Sequence, residues 1–155
     1  MRRRILATFM GTVMALGIAG VALAQSGHFV GDPVCTDIGT QLRCTGKVAG
    51  LGGSTFQITA TAPGIATVEC TNPAGNTAPG QQFRTTSSGG TGSIPTPRNG
   101  AFRFNVTSGA PTAPARSCPN PQWTATVTDV TFTGPATVTL TEDGQVSDTA
   151  TVPVN

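Results

Sequence analysis

The chain reads as all-β, folded as a single antiparallel, immunoglobulin-like β-sandwich of about eight or nine strands. Three observations point there. Apolar residues recur at every second position in run after run. Turn-forming residues punctuate these runs at close intervals, the 155 residues including 20 Gly and 12 Pro. Beyond residue 24, no stretch carries the three-to-four spacing of an amphipathic helix.

Residues 1–24 precede the fold as an export label. Arg2, Arg3 and Arg4 form a positive start, an apolar run follows from Ile5 to Val21, and Ala22-Leu23-Ala24 offers a small-x-small cleavage site before Gln25. Gly11, Gly17 and Gly20 interrupt the run, which suits a cleaved signal better than a membrane anchor. The residues around the Arg triplet fit general secretion better than a twin-arginine signal. No cysteine follows the cleavage site to take a lipid, and Thr151–Asn155 carries no apolar tail. Removing 24 of the 155 residues leaves a single domain, 25–155, of 131. Its six basic residues (Arg43, Lys47, Arg84, Arg98, Arg103, Arg116) against seven acids give a formal charge of −1. Such weak charge excludes a nucleic-acid binder, and one histidine leaves little for a multi-histidine metal site.

Each strand rests on its own alternation. Gln41–Val48 puts Leu42, Cys44, Gly46 and Val48 on one face and Arg43, Thr45 and Lys47 on the other. Thr55–Thr61 repeats this with Phe56, Ile58 and Ala60, and Ile65–Cys70 with Ala66, Val68 and Cys70. Between Asn72 and Pro97 the chain is Gly, Pro, Ser, Thr and Gln, read as a long surface excursion with one short strand near Gln82–Thr86. Asn99-Gly100 marks a hairpin turn before Ala101–Thr107, which alternates Phe102, Phe104 and Val106 with Arg103 and Asn105. In Trp123–Thr133 the phase slips: Trp123, Ala125 and Val127 share one parity, Val130 and Phe132 the other. A bulge near Thr128-Asp129 restores one buried face. The end is a hairpin, Ala136–Thr141 and Val146–Val152 about Asp143-Gly144.

Four cysteines in an exported chain read as two disulfides. If Gly39-Thr40 is a two-residue turn, Cys35 stands directly opposite Cys44, close enough to bridge. That leaves Cys70 with Cys118. No C-x-x-C spacing suggests a metal or redox site instead.

Several segments resemble landmarks of a family of small secreted proteins of actinobacterial type. They are His28-Phe29-Val30, Ala49-Gly50-Leu51-Gly52, Cys70-Thr71-Asn72-Pro73-Ala74-Gly75-Asn76, Cys118-Pro119 and Val130-Thr131-Phe132-Thr133. The resemblance spans most of residues 28–134 and implies Cys70–Cys118 as the shared bridge, with Cys35–Cys44 an addition. This chain has Ala74 where the pattern has a second glycine. The family has no assigned activity, so no catalytic residue carries over.

The residues themselves point to no catalytic, cofactor-binding or metal-ligating set. Nucleophilic catalysis needs a base, and the sole histidine, His28, lies near the mature start. A carboxylate pair for glycoside chemistry would come from Asp32, Asp37, Glu69, Asp129, Glu142, Asp143 and Asp148. Glu142-Asp143 is explained by its turn, Asp129 by the bulge and Asp32-Pro33 by turn initiation. Lys47, the only lysine, raises an isopeptide bond with Asn105 beside Glu69, but its parity is outward. Asn105-Val106-Thr107 matches a glycosylation sequon within a threonine-rich strand. The expectation is a secreted, extracellular, non-catalytic structural or interaction protein. Its partner would be a cell-surface or matrix protein or a glycan, with no nucleic acid, no cofactor and no membrane span after cleavage. The alternatives are a glycan- or small-ligand-binding module with Trp123 or Phe83 outward, and an enzyme inhibitor presenting the 72–97 segment.

Overall fold

The computed structural model describes residues 27–155. Residues 1–24, the expected export label, and the expected cleavage site lie outside the described residues. Eleven strands follow in order: β1 (His28–Phe29), β2 (Val34–Asp37), β3 (Leu42–Ala49), β4 (Thr55–Thr71), β5 (Thr77–Pro79), β6 (Phe83–Gly90), β7 (Ile94–Pro95), β8 (Phe102–Thr107), β9 (Thr124–Phe132), β10 (Ala136–Glu142) and β11 (Gln145–Val152). There is no helix among the described residues, hence none long and apolar enough to cross a membrane.

The strands pair antiparallel in two sheets. In the smaller, β3 is central, with β1 and β2 end to end along one edge and β8 along the other. In the larger, β4 is central: β10 then β9 follow one edge, β7, β6 and β5 the other, and β11 lies outside β10. The inner faces meet in one apolar cluster, Leu42, Val48, Phe104 and Val106 from the smaller sheet against Phe56, Ile58, Val138 and Leu140 from the larger. The rings of Phe56 and Phe102 meet edge to face across the interface, 5.2 Å between centroids. The C-terminus closes the smaller sheet: Val154 makes a parallel bridge to Cys35, and the Asp37 N–H donates to the Asn155 carbonyl. This is a two-sheet β-sandwich.

Local geometry follows the sequence at three points. The Cys35↔Cys44 and Asp37↔Leu42 registers place Gly39-Thr40 at the turn, and Cys35–Cys44 is bridged. The bulge in β9 falls at Thr128, between the Thr67↔Asp129 and Val68↔Val127 pairs, so Ala125, Val127, Val130 and Phe132 share one face. Asp143 and Gly144 both take positive φ, 45° and 83°, as a two-residue type I′ hairpin requires.

Elsewhere the structure corrects the reading. The Thr55–Thr61 and Ile65–Cys70 runs are one strand, β4, of 17 residues, alternating without a break. Pro63 lacks an N–H, yet its carbonyl accepts from Thr133, so its ladder positions face the β9/β10 edge. It falls where β10 ends its pairing at Thr61 and β9 begins at Gly64, so the missing donor interrupts no ladder. The 72–97 segment is no surface excursion: β5, β6 and β7 all pair along β4 and form its second edge. Few bulky residues are needed there, because Gly89 of β6 abuts the backbone at Thr107, the end of β8, and at Ser108 just beyond it. Asn99-Gly100 does not form a hairpin. It ends a β-turn, with the Gly100 N–H donating to the Pro97 carbonyl at 2.9 Å, and carries the chain from the larger sheet to the smaller.

A Cβ on Gly89 would land on the Thr107 carbonyl oxygen, a backbone atom with nowhere to go. Gly89→Ala should cost about 2 kcal/mol, seen as a lowered urea midpoint with an unchanged slope. Ser87, two residues earlier, is 3% exposed, and its hydroxyl finds no partner among the described residues. Ser87→Ala should therefore stabilise the domain by about 1 kcal/mol, read in the same unfolding series.

Candidate functional site

Among the described residues, one acid is fully buried. Glu142 ends β10 on the parity of Ala136, Val138 and Leu140, so its side chain enters the core face and is 0% exposed. The carboxylate lies where three segments meet: the start of the domain, the β3–β4 crossing and the β10–β11 hairpin. One oxygen accepts the N–H groups of Gly52 (2.8 Å) and Gly53 (3.2 Å). The other accepts the Gly27 N–H (3.0 Å) and the Ser147 hydroxyl (2.6 Å). Ser147 is the extra residue where the β10–β11 register shifts, and that bulge aims its hydroxyl back at Glu142.

The neighbouring carboxylate works on the outside of the same loop. Asp143 accepts the Ser54 N–H (3.0 Å), the Thr55 N–H (2.9 Å) and the Thr55 hydroxyl (3.2 Å). Glycine leaves the two carboxylates room to approach without moving. A Cβ on Gly53 would stand 2.7 Å from Asp143 Oδ2, and one on Gly27 would stand 2.5 Å from Glu142 Oε2. The two acids thus clasp the loop that carries the chain from one sheet to the other, while Leu51 tucks into the core, its N–H on the Gly100 carbonyl.

The electrostatics match a clasp. Burial alone would raise the Glu142 pKa, but donation from Ser147, Gly52, Gly53 and Gly27 outweighs it and holds the carboxyl below its ordinary value of 4.5. Asp143 is lowered by its Thr55 and Ser54 backbone donors, against a smaller opposing effect of burial, with the Thr55 hydroxyl adding to the lowering. A general acid at neutral pH needs its pKa raised instead. Both carboxylates are held ionised.

The other candidates do not converge. His28 is exposed on β1. Asp37 caps its own hairpin by accepting the Gly39 N–H, and Asp148 accepts the Phe29 N–H, tying β11 to β1. Glu69 and Asp129 lie exposed on the larger sheet. Lys47 and Asn105 stand on the outer parity of the smaller sheet, so Glu69 is not beside them and the isopeptide trio is not assembled. No group of three or more His, Cys, Asp or Glu able to hold a metal occurs among the described residues. Phe83 and Trp123 are half-buried. A hollow of about 500 Å³ near the C-terminus is lined by Phe132, Pro135, Thr151 and Val154 among others, with no titratable side chain. The Glu142 clasp is what sequence reading missed. Its parity in Ala136–Glu142 carried the signal: position 142 continues the buried set.

No protein-family model, no curated protein and no solved structure matches the chain.

Proposed function

We propose that this chain is an exported, non-catalytic interaction domain of immunoglobulin-like type, working outside the cell through the outer faces of its two sheets. The observation that carries the reading is the use made of its acids. The most buried carboxylate and its neighbour clasp a sheet-to-sheet crossing with lowered pKa values, the opposite of what acid–base chemistry needs. Two disulfides support an oxidising destination, and Arg2–Arg4 with Ala22-Leu23-Ala24 supports export.

The glycan reading that depends on exposed aromatics is weakened by the half-buried positions of Phe83 and Trp123. The inhibitor reading is weakened by the 72–97 segment, which is paired along β4 rather than held out as a loop. The two outer faces differ in character. Thr59, Thr61, Thr137, Thr139, Thr149 and Thr151 form neighbouring pairs on the larger sheet, a neutral hydroxyl surface. The smaller sheet's outer face is charged.

Expression of the full chain in a secreting bacterial host tests the reading. Protein in the medium beginning at Gln25, with both bridges intact in a non-reduced digest and the cell surface or medium as its binding partner, supports it. Retention of the uncleaved chain in the cell, or turnover of a substrate by the purified domain, overturns it.

A further inference from the structure

The smaller sheet's outer face holds half of the domain's basic residues, and no acid occupies an outward strand position on it; Asp32 stands exposed in the connection between β1 and β2, at the edge of the face. Register fixes the pattern. Lys47 pairs directly with Arg103; the next outward row is Val34–Thr45–Asn105; the row after is Thr36–Arg43–Thr107. The intervening residues Cys44, Gly46, Phe104 and Val106 face the interior. Asp37, at the end of β2, belongs to the inward parity of Cys35 and accepts the Gly39 N–H. The terminal Asn155 lies along the edge of β2, off this face. Acidic Glu69 and Asp129 stand on the outer face of the other sheet.

Two features of this face ask for a ligand. Like charges directly opposite on neighbouring strands destabilise a sheet, and Lys47 with Arg103 is such a pair. Val34, 54% exposed, sits in the row between the charged rows, next to Thr45, with the amide of Asn105 on the far side of Thr45. Along β3, Arg43 is about 13 Å from Lys47 at the usual rise per residue. Positive charge is thus spaced, with apolar surface and neutral hydrogen-bonding groups between.

We infer that the outer face of the β1–β2–β3–β8 sheet binds an acidic polysaccharide, a polymer with a carboxylate on every second or third sugar, lying along β3. Its carboxylates meet Lys47 with Arg103 at one end and Arg43 at the other. The sugar ring between them rests on Val34, with its hydroxyls on Thr45 and Asn105. A densely charged polyanion does not match, because its charges would fall against Val34 and Asn105. This inference rests on the reading of the chain as an exported binding domain and names that domain's partner class.

Calorimetric titration of the oxidised, processed protein tests it, with hyaluronan oligosaccharides, neutral dextran of equal length and inorganic polyphosphate as probes. Hyaluronan should bind, and the affinity should fall about tenfold between ~50 and ~200 mM salt. The double variant Lys47→Gln/Arg103→Gln should lose at least about tenfold and melt no lower than the parent, since a like-charge pair is relieved. Arg84→Gln, on the opposite sheet, should bind as the parent does. Equal binding of dextran, tighter binding of polyphosphate, or equal loss in Arg84→Gln overturns the inference. So does absence of hyaluronan binding; if export and a surface protein partner are nevertheless found, the broader reading stands without this one.

Discussion

Glu142→Ala should destabilise the domain by about 3 kcal/mol, more than any other single substitution named here. The change strips an acceptor from three backbone N–H groups and the Ser147 hydroxyl at once. Those of Gly27, Gly52 and Gly53 belong to chain that no ladder supports, so the crossing from β3 to β4 and the start of the domain should loosen together. Glu142→Gln is the informative partner. It keeps the shape and one carbonyl oxygen but turns an NH2 group toward existing donors, and should cost about 2 kcal/mol. Urea unfolding measures both, and amide exchange at Gly52 and Gly53 locates the damage. Unchanged exchange at those amides would show the clasp to be inert.

The same contacts give the domain a pH signature with a definite sign. The Glu142 carboxyl is held below its ordinary value of 4.5 in the folded state, so the unfolded chain binds its proton first as pH falls. The stabilisation is therefore fully present above about pH 4.5 and is lost as pH drops below it toward the folded-state value. Glu142→Gln should flatten this part of the acid-unfolding profile while leaving the neutral plateau displaced downward.

What the residues disclosed and what they hid follow from how each feature is encoded. Period-two alternation is local, so β3, β8, β10 and the β9 bulge were legible residue by residue. The Gly39-Thr40 turn fixed its own register and with it the Cys35–Cys44 pair. Three readings failed where the deciding partner lies far along the chain. Ala62-Pro63-Gly64 reads as a break because proline ends strands in isolation; only the change of partner from β10 to β9 makes it harmless. The segment from 72 to 97 reads as loop because its inward positions include Ser87 and Gly89, residues suited to a place where the backbone of another sheet comes close. Glu142 reads as part of its Asp-Gly turn, although its parity with Ala136, Val138 and Leu140 places it inside. A charged residue on a buried parity was the readable sign of the clasp. The basic outer face needed the Lys47↔Arg103 register, which no single strand contains.

Replacing Cys70 and Cys118 together with alanine should cost about 4 kcal/mol by loop-closure entropy, since they are 48 residues apart. Cys35 and Cys44, 9 apart in a hairpin already closed by its own turn, should matter less. The damage should also be local. Ala66, Val68, Cys70 and Val130 are buried but lie outside the main apolar cluster. Gly80 sits over Cys70 and Val68, and the 108–123 segment, which holds no strand, reaches them through Cys118 and the bond from the Gln81 N–H to the Ser117 carbonyl. Without the bridge that cover is tied by little else, so amide exchange should accelerate along β5 and the Thr124–Val127 part of β9 well before β3, β8 and β10. Uniform acceleration would mean that the bridge acts only on the unfolded chain. Domains of this size are stable by only about 5–15 kcal/mol, so reducing both bridges removes a large fraction of the total. The chain made in a reducing compartment should therefore accumulate poorly and gain protease resistance on oxidation, which ties its stability to the oxidising side of a membrane.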